Sequence, residues 1–161
     1  MDYTVNEEKM DQAAKYLNEE DIDLWLILTS EGSDPCLPLV TGVKTVGPGA
    51  FIITKSNNKY AVCSSIDSQD IEESDLFDEV IKYKNGLENP LKNLILSINP
   101  ENIALNYSKE EHLCDGLTVG RYRWLTDVLG DEFKGEFVSS ESFLTNLRSI
   151  KSNEEIKRIT E

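Results

Sequence analysis

The stretch Ile22-Asp23-Leu24-Trp25-Leu26-Ile27-Leu28-Thr29 constrains this chain more than any other. A strand with one face in water alternates apolar and polar residues. A run without that alternation needs cover on both faces, as in the middle of an α/β sheet. Ser30-Glu31-Gly32-Ser33-Asp34-Pro35 then ends the run with turn-forming residues.

The rest of the chain reads as strands alternating with helices, which implies an α/β domain. A surface helix is expected from Val5 to Glu20, opened by a capping box of Thr4 and Glu7. Met10, Ala13, Ala14 and Leu17 form its apolar stripe, with Glu8, Lys9, Asp11, Lys15 and Glu19 expected on the opposite face. After a loop from Cys36 to Gly49, the segments Ala50–Thr54 and Lys59–Ser64 read as paired strands joined by the polar link Lys55-Ser56-Asn57-Asn58. Further strands are expected at Glu79–Tyr83, Asn102–Asn106 and Phe133–Ser139. Helices are expected at Ile66–Glu73, Asn89–Ser97, Thr118–Leu129 and Ser140–Leu147. A last helix opens at a second capping box, Ser152 and Glu155, and its stripe of Ile156 and Ile159 stops at Glu161 after barely two and a half turns. A helix that short is marginal alone, so either it packs back on this domain or the natural chain continues, and continuation is the expectation.

Thirty acidic and 16 basic side chains give a formal net charge of −14. That field repels phosphate backbones and anionic membrane surfaces, so neither nucleic acid nor membrane is an expected partner. No apolar run approaches the ~20 residues that span a bilayer. Residues 1–11 lack the apolar centre of a signal peptide, and a cytoplasmic location is expected.

Catalytic patterns are missing. There is no Gly-rich phosphate loop, no Gly-x-Ser-x-Gly and no His-Glu-x-x-His. His112 is the sole histidine, and Cys36, Cys63 and Cys114 lie far apart, which fits free thiols better than zinc ligands. The acidic run containing Asp70, Glu72, Glu73, Asp75 and Asp78 reads as a solvated surface. No cofactor is expected in this chain.

Several segments carry a family resemblance. The loop Glu31 to Gly42, ending Val40-Thr41-Gly42, resembles a Leu-Thr-Gly turn early in the N-terminal domains of Xaa-Pro dipeptidase-like proteins, the creatinase/prolidase family. Leu39 stands where an aromatic often precedes that turn. Gly47 to Thr54 and Asn102 to Ser108 are similar to strands of that domain, and Asp115-Gly116-Leu117-Thr118 with Gly120 to a helix start. Leu147 to Ile156 resembles the Arg-x-x-Lys-x-x-x-Glu signature joining the family's two domains, with Arg148 and Lys151 closing one helix while Ser152 and Glu155 open the next.

The resemblance implies a mixed β-sheet flanked by helices over residues 1–148, and over 149–161 a junction leading into a C-terminal catalytic domain. It implies an accessory role without catalysis, shaping substrate access and supporting a homodimer. The absent domain would hold two divalent metal ions through two Asp, one His and two Glu, and would cleave proline-containing peptides. Asp34, Pro35, Thr41 and Gly42 are the candidate substrate-entrance residues, and Arg148, Lys151 and Glu155 the candidate junction. A stand-alone α/β binding module of the same fold is the alternative.

Overall fold

The structure is a computed structural model that describes residues 2–31 and 33–160. Gly32 of the candidate loop and the terminal Glu161 lie outside the described residues. Six strands form one sheet: β1 (Leu24–Thr29), β2 (Gly49–Thr54), β3 (Lys59–Ser64), β4 (Glu79–Tyr83), β5 (Asn102–Leu105) and β6 (Glu136–Ser139). Their spatial order is β4-β3-β2-β1-β5-β6. β2 is antiparallel to both β1 and β3, whereas the β1–β5, β3–β4 and β5–β6 pairs are parallel. The sheet is therefore mixed, with β2 running against the other five described strands.

Side chains alternate across the sheet, and each face meets its own helices. Trp25, Ile27, Phe51, Ile53, Ala61, Cys63 and Ala104 face one way. They pack beneath α1 (Thr4–Glu20), α3 (Ser65–Ser74) and α6 (Glu141–Ser149), which contribute Met10, Leu17, Ile71, Phe143 and Leu147. Leu24, Leu26, Leu28, Ile52, Val62, Ile103 and Leu105 face the other way, against Leu91 and Ile95 of α4 (Glu88–Ile98) and Leu125 of α5 (Val119–Leu129). All six residues of β1 are buried, as a strand with two covered faces requires.

Local chemistry explains where elements begin. α1 starts at Thr4 itself, so the expected Thr4–Glu7 capping box does not form. Thr4 gives both its amide and its hydroxyl to Asp2 Oδ1, at 2.9 and 2.6 Å, because the carboxylate is the stronger acceptor. Ser64 caps α3 by accepting from Asp67 N at 3.3 Å, and Thr118 caps α5 by accepting from Arg121 N at 3.2 Å. The loop from Cys36 to Gly49 contains a single helical turn, α2 (Leu37–Val40), started by Pro38 near its N-terminus. Residues 133–135 are not part of β6 as expected. A side chain at Gly135 would come within 2.5 Å of the Glu101 carbonyl, which instead accepts from Glu136 N at 3.0 Å to start the strand.

Lys9 is the largest departure from the expected pattern. It is 1% exposed, under the apolar stripe of α1 and not on its charged face. It precedes Ala13 by four residues and so shares that residue's side of the helix. The final helix, α7 (Asn153–Thr160), lies against α1, with Ile156 and Ile159 half to two-thirds exposed.

Replacing Phe51, fully buried on the α1 side and 5.6 Å from the Phe77 ring, tests this core. Phe51→Ala is expected to lower unfolding free energy by about 3–5 kcal/mol in urea titration, with the slope unchanged.

Candidate functional site

The C-terminal ends of the parallel strands β1, β5 and β6 converge, and the segment following each strand places a polar side chain in the interior. In open α/β sheets this edge is where ligands bind, at the point where strand connections diverge. Here it is filled by a hydrogen-bonded cluster built on Asn106, the residue after β5, which is 1% exposed. Asn106 Oδ1 accepts from Trp25 Nε1 of β1 at 2.8 Å and from Ser140 Oγ, just after β6, at 2.7 Å. Its Nδ2 donates to Asp34 Oδ2 at 3.0 Å. Ser140 precedes α6 but does not cap it with its side chain, because its hydroxyl is committed to Asn106.

Asp34 is 2% exposed and its second oxygen accepts from Cys36 N at 2.8 Å. Gly116 packs against this carboxyl so closely that a Cβ there would lie 2.4 Å from it. Burial raises the Asp34 pKa above the ordinary carboxylate value, against the opposing pull of Asn106, the Cys36 amide and Arg148. Cys36 is pushed up to about 12 by burial and by the neighbouring Asp34 charge, so its thiol is a buried neutral group and not a nucleophile. The thiol donates to Leu113 O at 3.1 Å and receives Arg148 Nη1 at 3.6 Å.

The candidate entrance residues divide into two kinds. Asp34 and Thr41 are buried and locally bonded, the Thr41 hydroxyl accepting from Val43 N at 3.1 Å. Pro35 and Gly42 are exposed, with Gly42 against the Tyr3 ring. Arg148 of the junction reaches back to this loop through Cys36, so two candidate groups far apart in sequence meet in space.

The rest of the junction is organised by Lys9. Its ammonium donates to Leu147 O at 2.5 Å and Ile150 O at 2.7 Å, which terminates α6, and pairs with Glu155 Oε1 at 2.9 Å. The Ser152–Glu155 capping box forms as expected: Ser152 N donates to Glu155 Oε1 at 2.9 Å and Glu155 N to Ser152 Oγ at 3.2 Å. Burial pushes the Glu155 carboxyl up, but the Ser152 amide and Lys9 outweigh it and hold it below its usual range. Glu8 Oε2 accepts from Glu154 N at 2.9 Å, and Arg158 pairs with Asp2 at 2.7 Å. Lys151 is exposed beside this contact.

Asp34, Arg148 and Glu155 are candidate site residues in the sequence, whereas Lys9, Asn106, Ser140 and Gly116 carry no site role there. The helical position of Lys9 carried a usable signal; the hub role of Asn106 did not, since its partners come from three distant segments. Cys36, Cys63 and Cys114 are free and buried. Among the described residues, no three His, Cys, Asp or Glu side chains come together as metal ligands, and no helix is long and apolar enough to cross a membrane.

No family model matches the sequence, and neither does any curated protein. Solved structures do resemble it. A prolidase from Pyrococcus horikoshii OT3 superimposes with a TM-score of 0.66 at 20% identity, over 93% of this chain and 37% of that one. An Xaa-Pro dipeptidase from Bacillus anthracis gives 0.67 at 18% identity, over 94% and 38%. The creatinase/prolidase N-terminal domain of an X-Pro dipeptidase from Streptococcus pyogenes gives 0.66 at 14% identity, over 86% of this chain and 97% of that domain. At these identities the likeness is one of fold. The chain has the creatinase/prolidase N-terminal fold and spans less than two-fifths of the two longer chains named.

Asn106→Ala removes the donor to Asp34 and the shared acceptor of Trp25 and Ser140. Urea titration should show a loss of about 3 kcal/mol or more. Lys9→Met should release α7 while the sheet persists, seen as hydrogen-exchange protection lost at residues 151–158 and retained in β1 and β2. The Glu155 pKa is depressed on folding, so its contribution is present above the ordinary glutamate value of 4.5 and is lost as pH falls through the folded value. Wild-type protection of α7 should therefore fall as pH drops below 4.5, and Lys9→Met should flatten that dependence.

Proposed function

We propose that this chain is the N-terminal accessory domain of an Xaa-Pro dipeptidase- or aminopeptidase-like metallohydrolase, shaping access of proline-containing peptides and supporting a homodimer. The observation that carries this reading is one of extent. The chain matches nearly all of a separately solved N-terminal domain, but well under half of a whole prolidase. The anchoring of α7 supports it: two polar contacts to α1 and an ion pair with Asp2 just before α1 hold the helix, as a fixed link to a following catalytic domain would be held.

In this reading a following catalytic domain would hold two divalent metal ions, which would supply Lewis-acid activation of water and of the scissile carbonyl. This chain's own residues do positional work. The Asn106 cluster keeps the loop bearing Asp34, Pro35, Thr41 and Gly42 in one conformation at the strand ends. Arg148 ties that loop to the segment that leads to α7, so the entrance and the junction are set by one bonded assembly.

An antibody raised against this chain tests the reading in the source cells. A native band at about twice 18.2 kDa or more is expected, with Xaa-Pro dipeptide hydrolysis by that protein when a divalent metal is added. A native band near 18.2 kDa would overturn it and favour the stand-alone binding module.

A further inference from the structure

A second feature of the same sheet edge lies on its other face, toward α5. There the segment after β5, the start of α5 and strand β6 leave a cavity of about 380 Å³. Tyr107, Tyr122 and Phe137 line it, together with Leu117, Val119 and the carboxylate-bearing Asp115. The Tyr122 and Phe137 rings stand 5.9 Å apart at 74°, two aromatic surfaces meeting near a right angle. Tyr107 and Tyr122 are each 40% exposed, so aromatic surface is left open to solvent beside a carboxylate.

The lining is held in place before any ligand arrives. Tyr107 N donates to Leu105 O at 3.0 Å, and its carbonyl accepts from Ser139 Oγ, which ties it to the ends of β5 and β6. Asp115 Oδ1 accepts from Ser108 N at 3.1 Å. Thr118 caps the helix that carries Tyr122. Arg121, on the first turn of that helix, is engaged elsewhere: it donates to Ser30 Oγ at 2.9 Å and lies 5.5 Å from the Trp124 ring centroid.

Aromatic faces carry negative potential and attract cations, most effectively cations that are weakly hydrated and large enough to touch several rings. A carboxylate in the lining adds to this. An anionic ligand would meet Asp115 and a chain of net charge −14. We propose that this cavity binds a small free solute bearing a methylated ammonium group, of about the size of choline. The assignment stands apart from the proposed peptidase role and needs none of its chemistry.

Choline chloride titrated into the nitrogen-15-labelled chain is the direct test, with its uncharged tert-butyl isostere as the control. Saturable amide shifts are expected at Tyr107, Asp115 to Tyr122 and Phe137, with the isostere binding about tenfold more weakly. Tyr122→Leu, at an exposed position, should keep the wild-type spectrum elsewhere and weaken binding about tenfold, and Asp115→Asn should weaken it several-fold. The proposal is overturned if no saturable shift appears up to about 100 mM, or if the isostere binds as well as choline. Tighter binding of a trimethyllysine peptide than of choline would overturn the assignment to a free solute.

Discussion

One side-chain amide closes the interior of this domain. The strands β1, β5 and β6 end at the same edge, where backbone and side-chain polar groups enter a space otherwise filled by hydrocarbon. Asn106 meets a donor from β1, a donor from the start of α6 and an acceptor from the loop after β1, so every one of these groups is bonded where water is excluded. The arrangement requires a carboxamide. Leucine would fill the volume but leave Trp25 Nε1, Ser140 Oγ and Asp34 Oδ2 without the bonds Asn106 makes to them. An aspartate would place a second carboxyl against Asp34. Gly116 completes the fit, since any larger residue would push into the Asp34 carboxyl.

Lys9 does for the helical layer what Asn106 does for the sheet edge. A buried ammonium is costly unless its hydrogens and its charge are matched. Here two carbonyls from the end of α6 and the Glu155 carboxylate match them, so α1, α6 and the start of α7 meet at one atom. The Arg148 contact to Cys36 links this assembly to the Asp34 loop. The Asp34 loop and α7 are therefore parts of one bonded arrangement, although they lie more than a hundred residues apart in sequence.

Most of the architecture was legible because it depends on periodicity. The unbroken run in β1 announced two covered faces, the link at Lys55 to Asn58 announced the β2–β3 hairpin, and the Ser152–Glu155 box was read as it forms. Thr4 misled because an acidic residue two positions earlier competes for its hydroxyl, a contest that a capping pattern does not register. Lys9 departs from the pattern because a charged residue normally signals exposure, whereas its helical angle points inward. The Asn106 hub was out of reach for a different reason. Asn106, Trp25, Asp34 and Ser140 each look ordinary in their own neighbourhoods, and only the order of strands in the sheet brings them together.

That strand order also divides the chain in time. β2 and β3 pair through the four residues 55–58, and β1 joins them across residues 30–48, so this half of the sheet can close early at modest entropic cost. β5 is parallel to β1 and must return to it from across α3, β4 and α4, so its docking is a late, long-range event. Until it docks, Trp25 Nε1 and Asp34 Oδ2 lack their Asn106 partner. Water must therefore stay at that edge of β1 through the early steps, and the arrival of Asn106 is the step that dries it.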